Sequence, residues 1–239
     1  SVAELAKFHC PAYIRSLYDG SIDAKAMRRI GFPWTAQLFQ RSLCSLGGTL
    51  QTAQAALETG IALHLSGGYH HAFYAEGSGF CLFNDLVVAA KTMLRRGLDK
   101  ILLVDLDVHQ GDGSAAMLAD EPRIISFSVH CEKNFPYRKQ PSDWDIGLPP
   151  DCTEQQYLEA VQQSLHTLLS WHQPDLVLYD AGVDVHKDDA LGYLQLTDEG
   201  VAARDESVMR HCLGRDIPVM GVIGGGYSKD RHALARRHG

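Results

Sequence analysis

The stretch 101–113, reading ILLVDLDVHQGDG, constrains this chain more than any other. It begins with four consecutive apolar residues, Ile101, Leu102, Leu103 and Val104, the pattern of a strand buried on both faces. Acids follow at Asp105, Asp107 and Asp112, with His109 among them and glycines at Gly111 and Gly113. Side chains two residues apart in an extended chain share a face, so Asp105, Asp107 and His109 point the same way. Two carboxylates and an imidazole at the end of a buried strand are costly unless something binds them, and a divalent metal would. The plainer reading is that Asp107 and Asp112 cap the following helix.

Similar apolar runs recur at 61–65, 123–129, 175–179 and 217–223. Between them lie helical patterns. Residues 1–34 read as interrupted helices, and 35–59 as one or two helices with Gly47-Gly48 a possible break. A helix over 84–96 has Asn84 as its cap and Gly97 as its stop, and 112–118 is a short helix. Thr153 with Gln156 three residues on is a capping box opening a helix to about Trp171, and 197–213 is another. The proline-rich stretch 131–150 reads as a long loop of the functional kind. Five strands alternating with helices predict an α/β fold: a single domain with a mostly parallel sheet sandwiched by helices. Ligands of such sheets sit beyond the carboxyl ends of the strands. His70, His71, Asp107, His109, His130, Asp184 and Tyr227 all fall there.

A chain of 239 residues, 45% hydrophobic and 21% charged, has the composition of one soluble globular domain. Its net charge of −7 argues against a nucleic-acid surface. No apolar stretch is long enough for a membrane span, and no secretory signal is visible. The six cysteines are scattered without a C-x-x-C pair, as expected of reduced thiols in a cytoplasmic protein. The chain opens Ser1-Val2-Ala3 and stops inside a helix-like run, so 1–239 reads as one catalytic domain truncated at both ends.

Asp107, His109 and Asp184 offer three metal ligands with open positions remaining, the arrangement of a catalytic zinc site. Taken alone, Asp184 reads more readily as a turn or cap residue, and pairing with the central stretch reverses that. His70 and His71 follow Gly67-Gly68 and are a candidate acid–base pair, although adjacent histidines are usually surface residues. Asp105 and Asp112 suit the role of outer carboxylates that fix an imidazole tautomer. Gly224-Gly225-Gly226-Tyr227 lacks the Lys of a phosphate loop and instead sets a phenol in the cleft to steady an oxyanion; the alternative is a tyrosine packed under a helix. Gly79-Phe80 and Asn134-Phe135 set aromatics in loops facing the cleft; such a Phe is more often core, and only its place after a catalytic-looking segment favours the cleft.

With these residues in place, the chain resembles the zinc-dependent histone deacetylase superfamily. The matching segments are GGYHHAF (67–73), GSGFCLFND (77–85), DLDVHQGDG (105–113), FSVH (127–130), DAGVDVH (180–186) and GGGYSKD (224–230). DIGLPP (145–150) and LGYLQLTDEG (191–200) are similar to the class IV branch and its bacterial relatives. The resemblance implies an arginase/deacetylase-like fold with one Zn2+, or Fe2+, on Asp107, His109 and Asp184. It implies that His70 and His71, backed by Asp105 and Asp112, handle protons, and that Tyr227 polarises an amide carbonyl. Gly79, Phe80 and Phe135 would line an acyl-lysine tunnel. A structural K+ is implied at the side chains of Asp105 and Ser128 and the main-chain oxygens of Asp107, His109 and Val129.

The implied activity is removal of acyl groups from N-ε-acyl-lysine or from a similar small acylated amine. An arginase-like ureohydrolase is the alternative enzyme, but Gly111 stands where its D-x-H-x-D segment needs a carboxylate. A catalytically silent acyl-lysine-binding protein would lack a ligand, a histidine or the tyrosine, and all are present. The rim carboxylate of many deacetylases has no counterpart in Gly31-Phe32-Pro33-Trp34, and the family's first strand and closing helix have none either.

Overall fold

The apolar run at 101–104 becomes an interior strand of a parallel sheet in the computed structural model, which describes residues 2–239; Ser1 lies outside the described residues. The strands are β1 (Ile61–His64), β2 (Ile101–Asp105), β3 (Ile124–Cys131), β4 (Trp144–Leu148), β5 (Leu176–Asp180) and β6 (Val219–Val222). They lie in the order β1-β6-β5-β2-β3-β4, and every pairing is parallel.

Alternate residues of β2 serve opposite faces. Leu102 and Val104 pack into a core with α7 (Glu154–His172) and α8 (Asp198–Leu213). Ile101 and Leu103 pack against α4 (Ala36–Thr59) and α5 (Asp85–Arg95). Each such buried side chain contributes roughly 1.5–3 kcal/mol, which is why an interior parallel strand carries no polar face. The short helices α1 (Val2–Leu5), α2 (Pro11–Asp19) and α3 (Ala24–Ile30) close a third cluster around Leu17, Ile30 and Phe83. The remaining helices are α6 (Asp112–Leu118) and α9 (Arg231–Arg237). This is the expected single-domain α/β architecture, a sheet between helical layers.

Capping chemistry sets the helix starts. Thr35 accepts from the Leu38 N–H, Asn84 from Val87, and Thr153 with Gln156 forms a complete capping box. Residues 36–59 form one helix, so Gly47 and Gly48 do not break it; Gly48 instead lies against the His64 ring.

One expectation needs correcting. The stretch 131–150 is not all loop, because Trp144–Leu148 forms the edge strand β4 beside β3. Trp144, Ile146 and Leu148 pack on the core while Asp145 and Gly147 face out. An edge strand with one apolar face shows only a short alternation, which the neighbouring prolines obscured. All six cysteines are unpaired, and among the described residues no helix is long and apolar enough to cross a membrane.

Candidate active site

Because the strands are parallel, their carboxyl ends share one edge of the sheet. Beyond Asp105 the chain keeps its alternation: Leu106 and Val108 enter the core, and Asp107 and His109 turn the other way. His109 Nδ1 lies 2.9 Å from Asp107 Oδ1 and 3.0 Å from Asp184 Oδ2. One donor atom from each of the three falls within 4.8 Å of the others, and all three side chains are buried. Backbone amides orient them: His109 donates to Asp107 Oδ1, Gly225 to Asp107 Oδ2 and Val108 to Asp184 Oδ1, each at 2.8 Å. Two carboxylates and one imidazole converging on a single buried point fit a divalent metal.

The charges show what such a cluster lacks. Burial, with the Asp107 charge beside it, pushes Asp184 up to about 7. Burial opposes ionisation of Asp107 as well, yet the His70 and His109 rings hold its carboxyl well below the usual range. Burial disfavours the charged His109 ring, but Asp107 and Asp184 override it and raise its pKa to about 10. A proton shared among these groups thus stands where a cation would, and binding of a metal there would release it.

The glycines of the 224–226 turn make room for this arrangement. A Cβ on Gly225 would overlap both Asp184 Oδ2 and Asp107 Oδ2. Gly111, where a second-metal carboxylate would stand in an arginase-like site, has no room either, since a Cβ there would overlap Asp105 Oδ2.

The adjacent histidines meet different partners. His70 Nδ1 lies 2.8 Å from Asp105 Oδ2, and His71 Nδ1 lies 2.7 Å from Asp112 Oδ1. Burial lowers both, but Asp105, Asp107 and Asp180 around His70 raise it well above the ordinary value. His71 has Asp112 alone against burial and the neighbouring His70, and falls to about 4. The loop carrying them is braced twice. Asp85 accepts from the amides of Gly68 and Tyr69, and Asn84 Nδ2 donates to the carbonyls of His70 and Ala72.

Tyr227 faces the same space, its ring centroid 6.1 Å from His109 and 5.9 Å from Phe80. Burial and the carboxylates of Asp107 and Asp184 push its phenol well above the ordinary value, so it keeps its proton. Phe135 stacks edge-on to His71 at 4.9 Å, and Gly79 lies against the same ring. Phe80 and Phe135 are 40% and 38% exposed, placing them at an opening rather than in the core. The residues expected around a potassium ion lie nearby: Asp105 and Ser128 are register partners across β2 and β3, and Ser128 Oγ sits 2.9 Å from His130 Nδ1.

Three residues escaped the sequence reading. Asp180 ends β5 in register with Asp105, is fully buried, and has no hydrogen-bond partner for either oxygen. Burial raises its pKa well above the carboxylate range, and with His70 and Asp105 it forms a second cluster of donors within 4.8 Å. Its signal was available: LVLYD ends in an acid as ILLVD does. Arg204 is fully buried and donates to the carbonyls of Leu106, Gly182 and Ala181, tying the two ligand loops together. Asp189 accepts the Tyr227 N–H at 2.6 Å. Neither of these last two has a local sequence signal.

Comparison with known proteins agrees with this geometry. The profile of the histone deacetylase domain matches residues 1–238. This chain belongs to that family. The deacetylase domain is 50% identical over 237 residues to an uncharacterised protein of Picosynechococcus sp., covering 99% of this chain and 79% of that one. It is 32% identical over 188 residues to histone deacetylase 2 of Arabidopsis thaliana, covering 77% of this chain and 49% of the plant protein. The crystal structure of a histone deacetylase homologue from Aquifex aeolicus superposes with a TM-score of 0.83 at 25% identity, over 98% of this chain and 68% of that one. A bacterial-type branch of the deacetylase family is consistent with these relatives, and membership supports a hydrolase acting on amides.

Proposed function

We propose that this deacetylase-family chain removes acyl groups from N-ε-acyl-lysine in a protein, or from a small acylated amine, by a metal-dependent hydrolysis. The observation that carries the reading is the convergence of the Asp107, His109 and Asp184 donor atoms beside a neutral His71 and a protonated Tyr227. Zinc suits these donors and iron(II) is tolerated by them. The ion would supply Lewis acidity to the amide carbonyl and acidify the attacking water.

The protein side chains do the rest. His71 donates Nδ1–H to Asp112, which leaves Nε2 with a free lone pair to take the water proton. The same ring then returns a proton to the departing amine. His70, held charged by Asp105, Asp107 and Asp180, gives the opposite polarity one residue away. Neighbouring groups with opposed shifts are the usual division of acid and base. The Tyr227 hydroxyl donates to the oxygen that gains negative charge. Gly79, Phe80 and Phe135 narrow the approach to one extended side chain. A potassium ion beside Asp105 and Ser128 would hold the β2 and β3 ends in register.

The test is metal content together with hydrolysis of acetyl-lysine and longer acyl-lysine peptides. One catalytic ion per chain with chelator-sensitive deacylation supports the proposal. Release of urea from arginine would replace it with a ureohydrolase. Bound metal with no turnover of any amide would leave a silent acyl-lysine-binding protein.

A further inference from the structure

A cavity of about 310 Å³ adjoins the candidate site, with His70, His71, Phe80 and Tyr227 in its wall. That size is at the lower end of small-ligand pockets, roughly 300–1,000 Å³. Gly79 and Phe80 border it and Phe135 does not, so it is continuous with the approach that Gly79 and Phe80 narrow. Because His71 and Tyr227 line it, an amide whose carbonyl meets Tyr227 can place its acyl tail in this cavity.

The wall of the cavity carries one charge that the proposed chemistry leaves idle. Arg41, exposed on α4, lines its mouth, and no carboxylate among the described residues pairs with its guanidinium. The group lies over the Phe32 ring at 5.9 Å. Stacking of that kind occupies the flat face and leaves the in-plane N–H fork free for a carboxylate. The same wall carries hydroxyls: Tyr69 OH and Ser66 Oγ lie 3.2 Å apart, and both also bond Ser45 Oγ. The acid in this wall is Asp107, already committed to the metal donors. A neutral acyl group would use none of these polar groups.

We infer that the acyl group removed by this protein ends in a carboxylate, as in a succinyl- or glutaryl-lysine, and that Arg41 binds that carboxylate. The inference rests on the deacylase reading above and names its substrate class. Water adds its hydroxyl to the acyl carbon and its proton to the nitrogen as the C–N bond breaks. The products are a free dicarboxylate and a lysine amine.

The experiment compares kcat/KM for acetyl-, butyryl-, malonyl-, succinyl- and glutaryl-lysine peptides on the metal-loaded wild type, Arg41→Lys and Arg41→Gln. One dicarboxylic acyl group is expected to be preferred over butyryl. Arg41→Gln should lower its kcat/KM roughly 10–100-fold, the worth of a charge-assisted hydrogen-bonded pair, and far more than it lowers acetyl-lysine turnover. Arg41→Lys should retain part of the preference.

Turnover of acetyl-lysine with no dicarboxylic preference, or an equal loss on every acyl group, overturns the inference alone. A loss that follows acidic residues flanking the lysine, whatever the acyl group, overturns it too. Turnover of no acyl-lysine overturns the deacylase reading. Calorimetry with glutarate against butyrate then decides Arg41: tighter glutarate binding that Arg41→Gln abolishes supports the carboxylate site, and equal binding removes it.

Discussion

Arg204 donates through Nη1 to the carbonyl oxygen of Gly182 at 2.6 Å. The same nitrogen reaches the Leu106 carbonyl at 3.1 Å, so one guanidinium spans the loops that carry Asp107 and Asp184. It also donates to the Ala181 carbonyl and the Asp205 carboxylate, and lies over the Tyr179 ring. Replacing it with Met removes the donors and leaves buried carbonyls unpaired, at a cost of about 3 kcal/mol. Urea unfolding should show that loss in the metal-free protein, and titration with Zn2+ should show weaker binding. Unchanged metal affinity would make Arg204 a stability residue only.

Gly225 is a sharper probe of the donor cluster. In Gly225→Ala the new methyl meets one oxygen each of Asp107 and Asp184, and the turn must shift. The amide that orients Asp107 shifts with it. Metal affinity should fall by about 10–100-fold, as for loss of an orienting partner. Equilibrium dialysis measures it, and near-normal unfolding would show that the fold is intact.

Tyr227→Phe removes a single hydroxyl and should lower kcat by roughly 10²–10³-fold with metal content unchanged. His71→Ala should cost about 10²–10⁴-fold, the range for a general base. Both losses belong in kcat rather than KM if the groups act on the transition state. Unchanged turnover in either variant removes that residue from the mechanism.

His9 makes stability depend on pH away from the metal donors. Its Nδ1 lies 3.0 Å from the Phe73 carbonyl, and its Nε2 accepts the Asn84 N–H at 3.1 Å. Burial lowers its pKa from 6.5 to about 4. Between those values the unfolded chain binds the proton that the folded one refuses, so stability is full above about pH 6.5 and falls as pH drops towards 4. The shift is worth on the order of 3 kcal/mol. His9→Asn should therefore be less stable at pH 7, with the gap to wild type narrowing at pH 5. His71 and His130, also near 4, leave a residual slope in the variant. Parallel pH profiles for the two proteins would exclude His9.

Much of the site was legible because strand patterning is local. Two-residue alternation carries through 101–109, so Asp105, Asp107 and His109 could be assigned one side before any contact was known. The acids at the end of the 101–104 run, the adjacent histidines and the glycine-tyrosine turn each mark a strand end, and a parallel sheet gathers strand ends along one edge. Asp180 carried the same signal, but its meaning came from being opposite Asp105. Strand β4 was missed because an edge strand needs one apolar face and shows little pattern.

The sequence by itself determined the parallel α/β class, the helix caps and the kinds of groups at the strand ends, since these depend on neighbours a few residues away. Only the tertiary structure decided which carboxylate each histidine meets, that Arg204 ties two loops together, and that Arg41 borders a cavity beside Tyr227. Those facts depend on burial and on partners tens of residues distant. Burial is also what turns alike side chains into unlike ones: His70 and His71 are chemically identical neighbours, and the carboxylates packed around each drive their pKa values apart.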